Sequence, residues 1–211
     1  MNKKPHHFDA SVTHLKKDKR LGAFIKRHGN LEHRRQHSRH VFQSLAEAII
    51  YQQLSGKAAG TILKRFITLF PDSPPAGGFP TPEDVLKIKI EKLRSAGLSG
   101  QKANYLKDLA LKSTDGTIEP KKFLRMSDEE IIAHVTAVKG IGEWTAHMFM
   151  MFTLERPDIL ATGDLGIQKG FQKLFKLKKL PNPEQMQKLS ESWNGHRTVA
   201  CMYLWRLVDE K

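Results

Sequence analysis

The 211-residue sequence contains one cysteine, Cys201. A single thiol excludes an internal disulfide, an all-cysteine zinc site and a cysteine-ligated iron–sulfur cluster within one chain. Cys201 lies in the apolar-periodic stretch 199–208 and reads there as a small buried hydrophobe before a reactive thiol. No apolar run approaches the roughly 20 residues that span a bilayer. The start, Met1-Asn2-Lys3-Lys4-Pro5-His6-His7, has no apolar core behind its charges. Together these imply an intracellular protein with no membrane partner. Acidic residues are in deficit too: 22 Asp and Glu stand against 35 Lys and Arg, a formal charge of +13. Such an excess suits a polyanion, nucleic acid first, because neutralising phosphates releases condensed counterions. A merely soluble basic surface is the other reading. Alternating β-branched runs are scarce, so no sheet is expected.

Helical periodicity, by contrast, runs the length of the chain, and the expected fold class is all-α. Val12, Leu15, Leu21, Phe24 and Ile25 predict one or two short helices broken near 28–30. Phe42, Leu45, Ala46, Ile49, Ile50 and Gln53 trace one face of a helix over 42–54, and Ala59, Ile62, Leu63, Phe66 and Phe70 mark its successor. A Pro- and Gly-dense loop covers 71–82. Thr81-Pro82-Glu83-Asp84 then opens a helix with a capping hydroxyl, a first-turn proline and acids at the positive helix end. Another helix is expected over 101–111, and Asp115-Gly116 is a turn. Ser127-Asp128-Glu129-Glu130 is a capping box. The helix it opens stops at Lys139-Gly140, and the next begins at Glu143 or Trp144 and runs to about Thr153. A polar loop over 156–163 precedes three more helices, over 165–175, 183–192 and 197–209. With no repeat and no long linker, a single domain over 1–211 is expected.

Charge is uneven along that chain. Residues 1–40 hold eleven Lys or Arg against three Asp or Glu, and Lys173, Lys176, Lys178 and Lys179 form a second cluster. Either tracks phosphates or forms a solvated basic face. His33, His37 and His40 have helical spacing, but Arg34, Arg35 and Arg39 among them would repel a cation, so a basic surface segment is expected and no metal site on side chains.

The sharpest local feature is the joint Lys139-Gly140-Ile141-Gly142 between two helices. Glycine at both positions permits positive φ and close approach of another backbone. The amides of Gly140, Ile141 and Gly142, with the start of the following helix, can converge on an anion, and Lys139 adds positive charge. Contacts of that kind hold the DNA backbone and carry no sequence information. Ile141 is expected to pack inward and fix the turn. Taken alone, the joint is equally a structural turn between helices.

The wider segment Val138-Lys139-Gly140-Ile141-Gly142-Glu143-Trp144-Thr145-Ala146, followed by Thr162-Gly163-Asp164-Leu165-Gly166, resembles the helix–hairpin–helix and Gly/Pro-Asp loop of a DNA glycosylase superfamily. The chain is most similar to its 3-methyladenine DNA glycosylase II branch, which excises alkylated purines. The same branch is matched by Asp18-Lys19-Arg20-Leu21-Gly22-Ala23-Phe24-Ile25, Ile49-Ile50-Tyr51-Gln52-Gln53-Leu54-Ser55, Leu93-Arg94-Ser95-Ala96-Gly97-Leu98-Ser99-Gly100-Gln101-Lys102-Ala103 and Trp193-Asn194-Gly195-His196-Arg197. The motifs follow the family's order from Asp9 to Asp209. The resemblance implies two helical lobes flanking a cleft, the helix–hairpin–helix at 128–153 and a catalytic loop at 156–165. The best-known bacterial enzymes of this type carry an additional N-terminal β-rich domain, which nothing in this sequence encodes.

By that resemblance Asp164 is the catalytic residue, stabilising the sugar cation, activating water, or both. Read alone, it is a helix N-cap, and the two roles are compatible, since the positive end of a helix favours an anionic carboxylate. No compelling second acid is present: Glu143 and Asp158 read as surface charges. A cationic alkylated purine leaves without protonation, so one carboxylate suffices, whereas sugar hydrolases usually use two. Trp144 stands where bifunctional relatives have a nucleophilic lysine, which implies excision without strand cleavage. Trp144 and Tyr51 are base-pocket candidates, as more weakly is Trp193; each can also be core. Gln53, Leu54 and Ser55 are the wedge and minor-groove candidates, Leu54 foremost, with a core role for that leucine as the alternative. Lys139, Gly140, Ile141, Gly142 and Thr145 are the candidate phosphate contacts. The expected partner is double-stranded DNA with a flipped damaged base, bound by a monomer. No cofactor is expected, although hairpins of the family can hold a monovalent cation on backbone carbonyls. The rival functions are a bifunctional oxidised-base glycosylase with lyase activity and a non-catalytic DNA-binding module.

Overall fold

A computed structural model describes residues 7–29, 31, 41–73 and 78–210, and the regular structure among them is helical throughout, with no strand. The helices are α1 (His7–Leu15), α2 (Leu21–His28), α3 (Val41–Tyr51), α4 (Gly56–Thr68), α5 (Pro82–Lys87), α6 (Ile90–Ser95), α7 (Gly100–Thr114), α8 (Pro120–Phe123), α9 (Asp128–Thr136), α10 (Glu143–Phe152), α11 (Leu165–Phe175), α12 (Pro183–Leu189) and α13 (Arg197–Asp209), with a 3₁₀ turn at Glu191–Trp193. The segment with His33, His37 and His40 lies outside the described residues. Among those described, no three His, Cys, Asp or Glu side chains are grouped to hold a metal. No described helix is long and apolar enough to cross a membrane.

The local chemistry of the boundaries is as the sequence implies. Thr81 and Asp84 form a reciprocal capping box at the start of α5, and Ser127 and Glu130 form another at α9. The helix expected over 42–54 stops at Tyr51 instead. Ser55 is the N-cap of α4, its hydroxyl accepting from the Ala58 N–H, so the chain must turn between the two helices. Gln53 makes that turn at φ 55°, in the left-handed region. A non-glycine residue there costs about 1–2 kcal/mol and persists only where its surroundings fix it. The expected helix over 183–192 likewise breaks, ending at Leu189 ahead of the 3₁₀ turn.

The chain divides into two compact units, one formed by Met1–Arg35 with Met150–Lys211 and the other by Gln36–Phe149. In the first, α11 packs along α13, and α1 and α2 pack on α13 as well. Trp193, Tyr203, Phe171, Leu15 and Ile25 are fully buried there. The Phe171 and Trp193 rings lie 5.3 Å apart, and the Trp193 Nε1–H donates to Asp18 Oδ2 at 3.1 Å. Trp193 is therefore core. Burial also pushes the Cys201 thiol up to about 12, so it is an inert hydrophobe. In the second unit α7 is central, with α3, α5 and α6 packed around it and Ala103, Leu106, Leu109 and Ala110 buried along its length.

Candidate functional site

Asp164 lies in the first unit, at the N-cap of α11. Its Oδ1 accepts the Ile167 N–H at 2.8 Å and the indole Nε1–H of Trp205 at 2.9 Å. The residue is 9% exposed, so its carboxylate is an enclosed group held by two donors and not a surface charge. Trp205 in turn stacks on Phe152, ring centroids 6.1 Å apart. Gly166 makes room for this arrangement. A Cβ there would lie 2.8 Å from Trp205 Cδ1, closer than real Cβ contacts, and 3.0 Å from Asp164 Oδ1, tighter than most of them.

The loop before Asp164 is bolted to α13. Arg197 forms a two-pronged bond to Asp158, Nε to Oδ1 at 2.7 Å and Nη2 to Oδ2 at 2.5 Å. The Thr198 hydroxyl donates to Arg156 O at 2.6 Å and accepts from the Ile159 N–H at 3.0 Å. Arg197, Thr198, Cys201 and Trp205 share one face of α13, the spacing that brings helix side chains together. Asp158 is thus not the surface charge its sequence context implies. Burial works to raise its pKa, but the Arg197 hydrogen bonds and charge outweigh that and hold it low. Trp205 escaped sequence inspection because it sits in a helix whose periodicity reads as core. Its one signal is the indole N–H, a polar handle that needs a partner when half-buried.

The hairpin belongs to the second unit. Lys139, Gly140 and Gly142 are exposed, and Ile141 is buried, fixing the turn as expected. Gly140 alone of the two glycines adopts positive φ, 82°, and a Cβ on it would run into the ring of Tyr105. A Cβ on Gly142 would meet no protein atom within 4 Å. Nothing inside the described fold requires glycine there. The amide of Ile141 is not free for a ligand, since it donates to Val138 O at 3.1 Å. Thr145, expected among the phosphate contacts, is 6% exposed and offers its side chain to the interior. The amides of Gly142 and the first turn of α10 stand at a helix start, where internal acceptors are lacking. Lys173 is likewise not a free phosphate contact: its ammonium donates to Leu207 O at 2.7 Å and Glu210 O at 3.2 Å at the end of α13.

The aromatic and wedge candidates of this unit are surface groups. Trp144 is 52% exposed, and Tyr51 and Leu54 are each 40% exposed. None of the three is core. Gln53 and Ser55 are exposed beside them. Glu143 is exposed, as expected for a surface charge, 3.9 Å from His147.

Comparison with known proteins adds the lineage. The model of the HhH-GPD superfamily of base excision DNA repair proteins matches residues 46–195. DNA-3-methyladenine glycosylase 1 of Schizosaccharomyces pombe is 35% identical over 191 residues, 90% of this chain and 82% of that one. Among solved structures, a 3-methyladenine DNA glycosylase of the same yeast in complex with abasic DNA superposes with a TM-score of 0.77 at 35% identity, over 93% of this chain and 95% of that one. A DNA-3-methyladenine glycosidase from Bacillus halodurans superposes with a TM-score of 0.82 at 34% identity, over 94% and 88%.

Proposed function

Because the chain belongs to the HhH-GPD superfamily of base excision DNA repair proteins, we propose that it is a monofunctional DNA glycosylase that flips an alkylated purine out of duplex DNA and hydrolyses its glycosidic bond. The observation that carries this is Asp164: an enclosed carboxylate aimed by Ile167 and Trp205, with an indole, not an amine, at position 144. Capping α11 needs only the Ile167 bond, and a pure binding module does not need the second donor, Trp205, on the same carboxylate.

The chemistry follows from charge. An N3- or N7-alkylated purine is cationic, and its glycosidic bond breaks with the electron pair leaving on the base. Positive charge then develops on the sugar, and Asp164 stabilises it electrostatically. Water adds to the anomeric carbon and gives up a proton, for which the same carboxylate is the acceptor, leaving an abasic site. Trp144 and Tyr51 offer electron-rich faces to a flipped cationic base. Gln53, Leu54 and Ser55 form the segment that takes the place of the extruded nucleotide. Lys139, Gly140 and Gly142 hold a backbone phosphate. Without an amine at position 144, no covalent sugar–enzyme adduct forms.

The protein works on this view as a monomer on double-stranded DNA, wherever the cell keeps it, and without an organic cofactor. A monovalent cation on hairpin backbone carbonyls fits this reading; Gly140 O already accepts one hydrogen bond from Gln52, at 2.8 Å, which uses one of its two lone pairs.

Incubation with methylated duplex DNA should release free 3-methyladenine or 7-methylguanine, and borohydride should trap no protein–DNA adduct. A trapped adduct would mean an oxidised-base glycosylase with lyase activity. Tight binding with no base released from any lesion would mean a non-catalytic module.

A further inference from the structure

The turn at 51–55 and the hairpin at 139–142 are far apart in sequence yet joined inside the second unit, and α7 does the joining. Lys102, Tyr105 and Asp108 recur every third residue along α7 and so share a face. The Lys102 ammonium donates to Ile50 O and Gln52 O, both at 2.7 Å, and holds the end of α3. The Tyr105 ring lies where a Cβ on Gly140 would be. Asp108 Oδ2 accepts the Lys139 N–H at 2.8 Å and the Lys112 ammonium at 2.8 Å. The loop is closed by Gln52, whose side-chain amide donates to Gly140 O at 2.8 Å. Ala103, Leu106, Leu109 and Ala110 form one stripe of α7 that is buried in the core, so its position is fixed by packing.

We propose that Gln52, Lys102, Tyr105 and Asp108 are positioning residues that set the register between the phosphate grip of the hairpin and the segment Gln53–Leu54–Ser55. The inference rests on the glycosylase reading above. Bases along one strand are about 3.4 Å apart, so an enzyme that grips a phosphate and pushes out a nucleotide must hold those two elements to well under that distance. Two loops fixed only through their own ends do not meet that tolerance. A hydrogen bond of 2.8 Å between them, with one buried helix behind both, does. Lys102 also accounts for Gln53 keeping its left-handed backbone, since it fixes the carbonyls on either side of Tyr51. The consequence is a division of labour: the hairpin supplies affinity, and the Gln52 bond decides which nucleotide is displaced.

The test uses full-length protein carrying Gln52→Leu, which keeps the side chain's bulk and removes its donor at a half-buried site. Three quantities are compared with wild type: affinity for undamaged duplex, single-turnover excision from a duplex with one 7-methylguanine, and the pattern of phosphates whose ethylation blocks binding around that lesion. The expected result is affinity within about twofold, excision slower by about tenfold, and an interference pattern blurred by one or more phosphates. Lys102→Met should blur the same phosphates, and the two changes together should be no worse than either alone. Unchanged excision and an unchanged pattern in Gln52→Leu would overturn the proposal, as would parallel losses of affinity and excision with the pattern intact. The interference measurement needs no chemistry, so it tests the register separately from the glycosylase reading, which base release by the wild type tests.

Discussion

At the scale of the residue, Asp164 is defined by what points at it. One carboxylate oxygen accepts both a helix-start amide and the Trp205 indole N–H. Trp205→Phe keeps the ring stacked on Phe152 and deletes the donor. Excision should fall by about 10²-fold, the cost of a small misplacement of a catalytic group, with DNA affinity little changed. Gly166→Ala makes the same point from the other side. Alanine is the better helix former by about 1 kcal/mol, yet its Cβ would press on both Trp205 and Asp164. Loss of base release from a protein that remains folded by circular dichroism is the expected outcome; wild-type rates in either variant would show that the indole does not position the carboxylate. How much of this was legible beforehand differs by residue. Asp164 could be found because a motif and a helix start coincide. Trp205 could not, because a helix with apolar residues all round gives no periodic clue to which of them face the site.

At the scale of the element, the hairpin separates two roles that Gly140 and Gly142 share in sequence. Gly140 sits at φ 82° against the Tyr105 ring, so Gly140→Ala adds a left-handed penalty to an overlap and should lower stability by about 2–4 kcal/mol. Gly142→Ala meets no protein atom, so its melting temperature should stay near wild type while DNA affinity drops. Thermal melts and a binding isotherm on both variants decide the matter. A Gly142→Ala variant that binds DNA normally would remove Gly142 from the interface. The helix boundaries themselves were largely readable, since Thr81, Ser127 and Asp164 are caps with local signatures. The end of α3 was not. Its helical periodicity continues to Gln53, but Ser55 caps α4 and forces a turn, and Lys102, far along the chain, takes up the carbonyls of Ile50 and Gln52.

At the scale of the whole molecule, the basic excess is not uniformly available to phosphates. The ammonium groups of Lys102, Lys107 and Lys173 bind carbonyls at helix ends, a structural use that a count of charges does not distinguish. Among the described residues, two histidines have pKa values lowered by the fold. Burial lowers the pKa of His147 below 6.5, against the pull of Glu143 and Asp128, and burial with the charge of His14 lowers that of His196. Unfolded histidines bind protons first, so the stability these two confer is complete above about 6.5 and is lost as pH falls through their lower folded values. The melting temperature should therefore decline between pH 7 and pH 5, and His147→Gln should flatten that slope. A slope unchanged by the substitution would exclude His147 as its source. Asp18, Asp108 and Asp158, whose pKa values are lowered, lose their contributions only in more acid solution.

The central claim is that Asp164 turns DNA binding into base excision. Its most direct test is a single-turnover assay on a duplex with one 7-methylguanine, comparing wild type with Asp164→Asn while the affinity of each for the same duplex is measured. The asparagine keeps the size of the side chain and removes the charge that stabilises the sugar cation. The predicted result is excision reduced by roughly 10²–10³-fold with affinity close to wild type. Equal excision by the two proteins would contradict it.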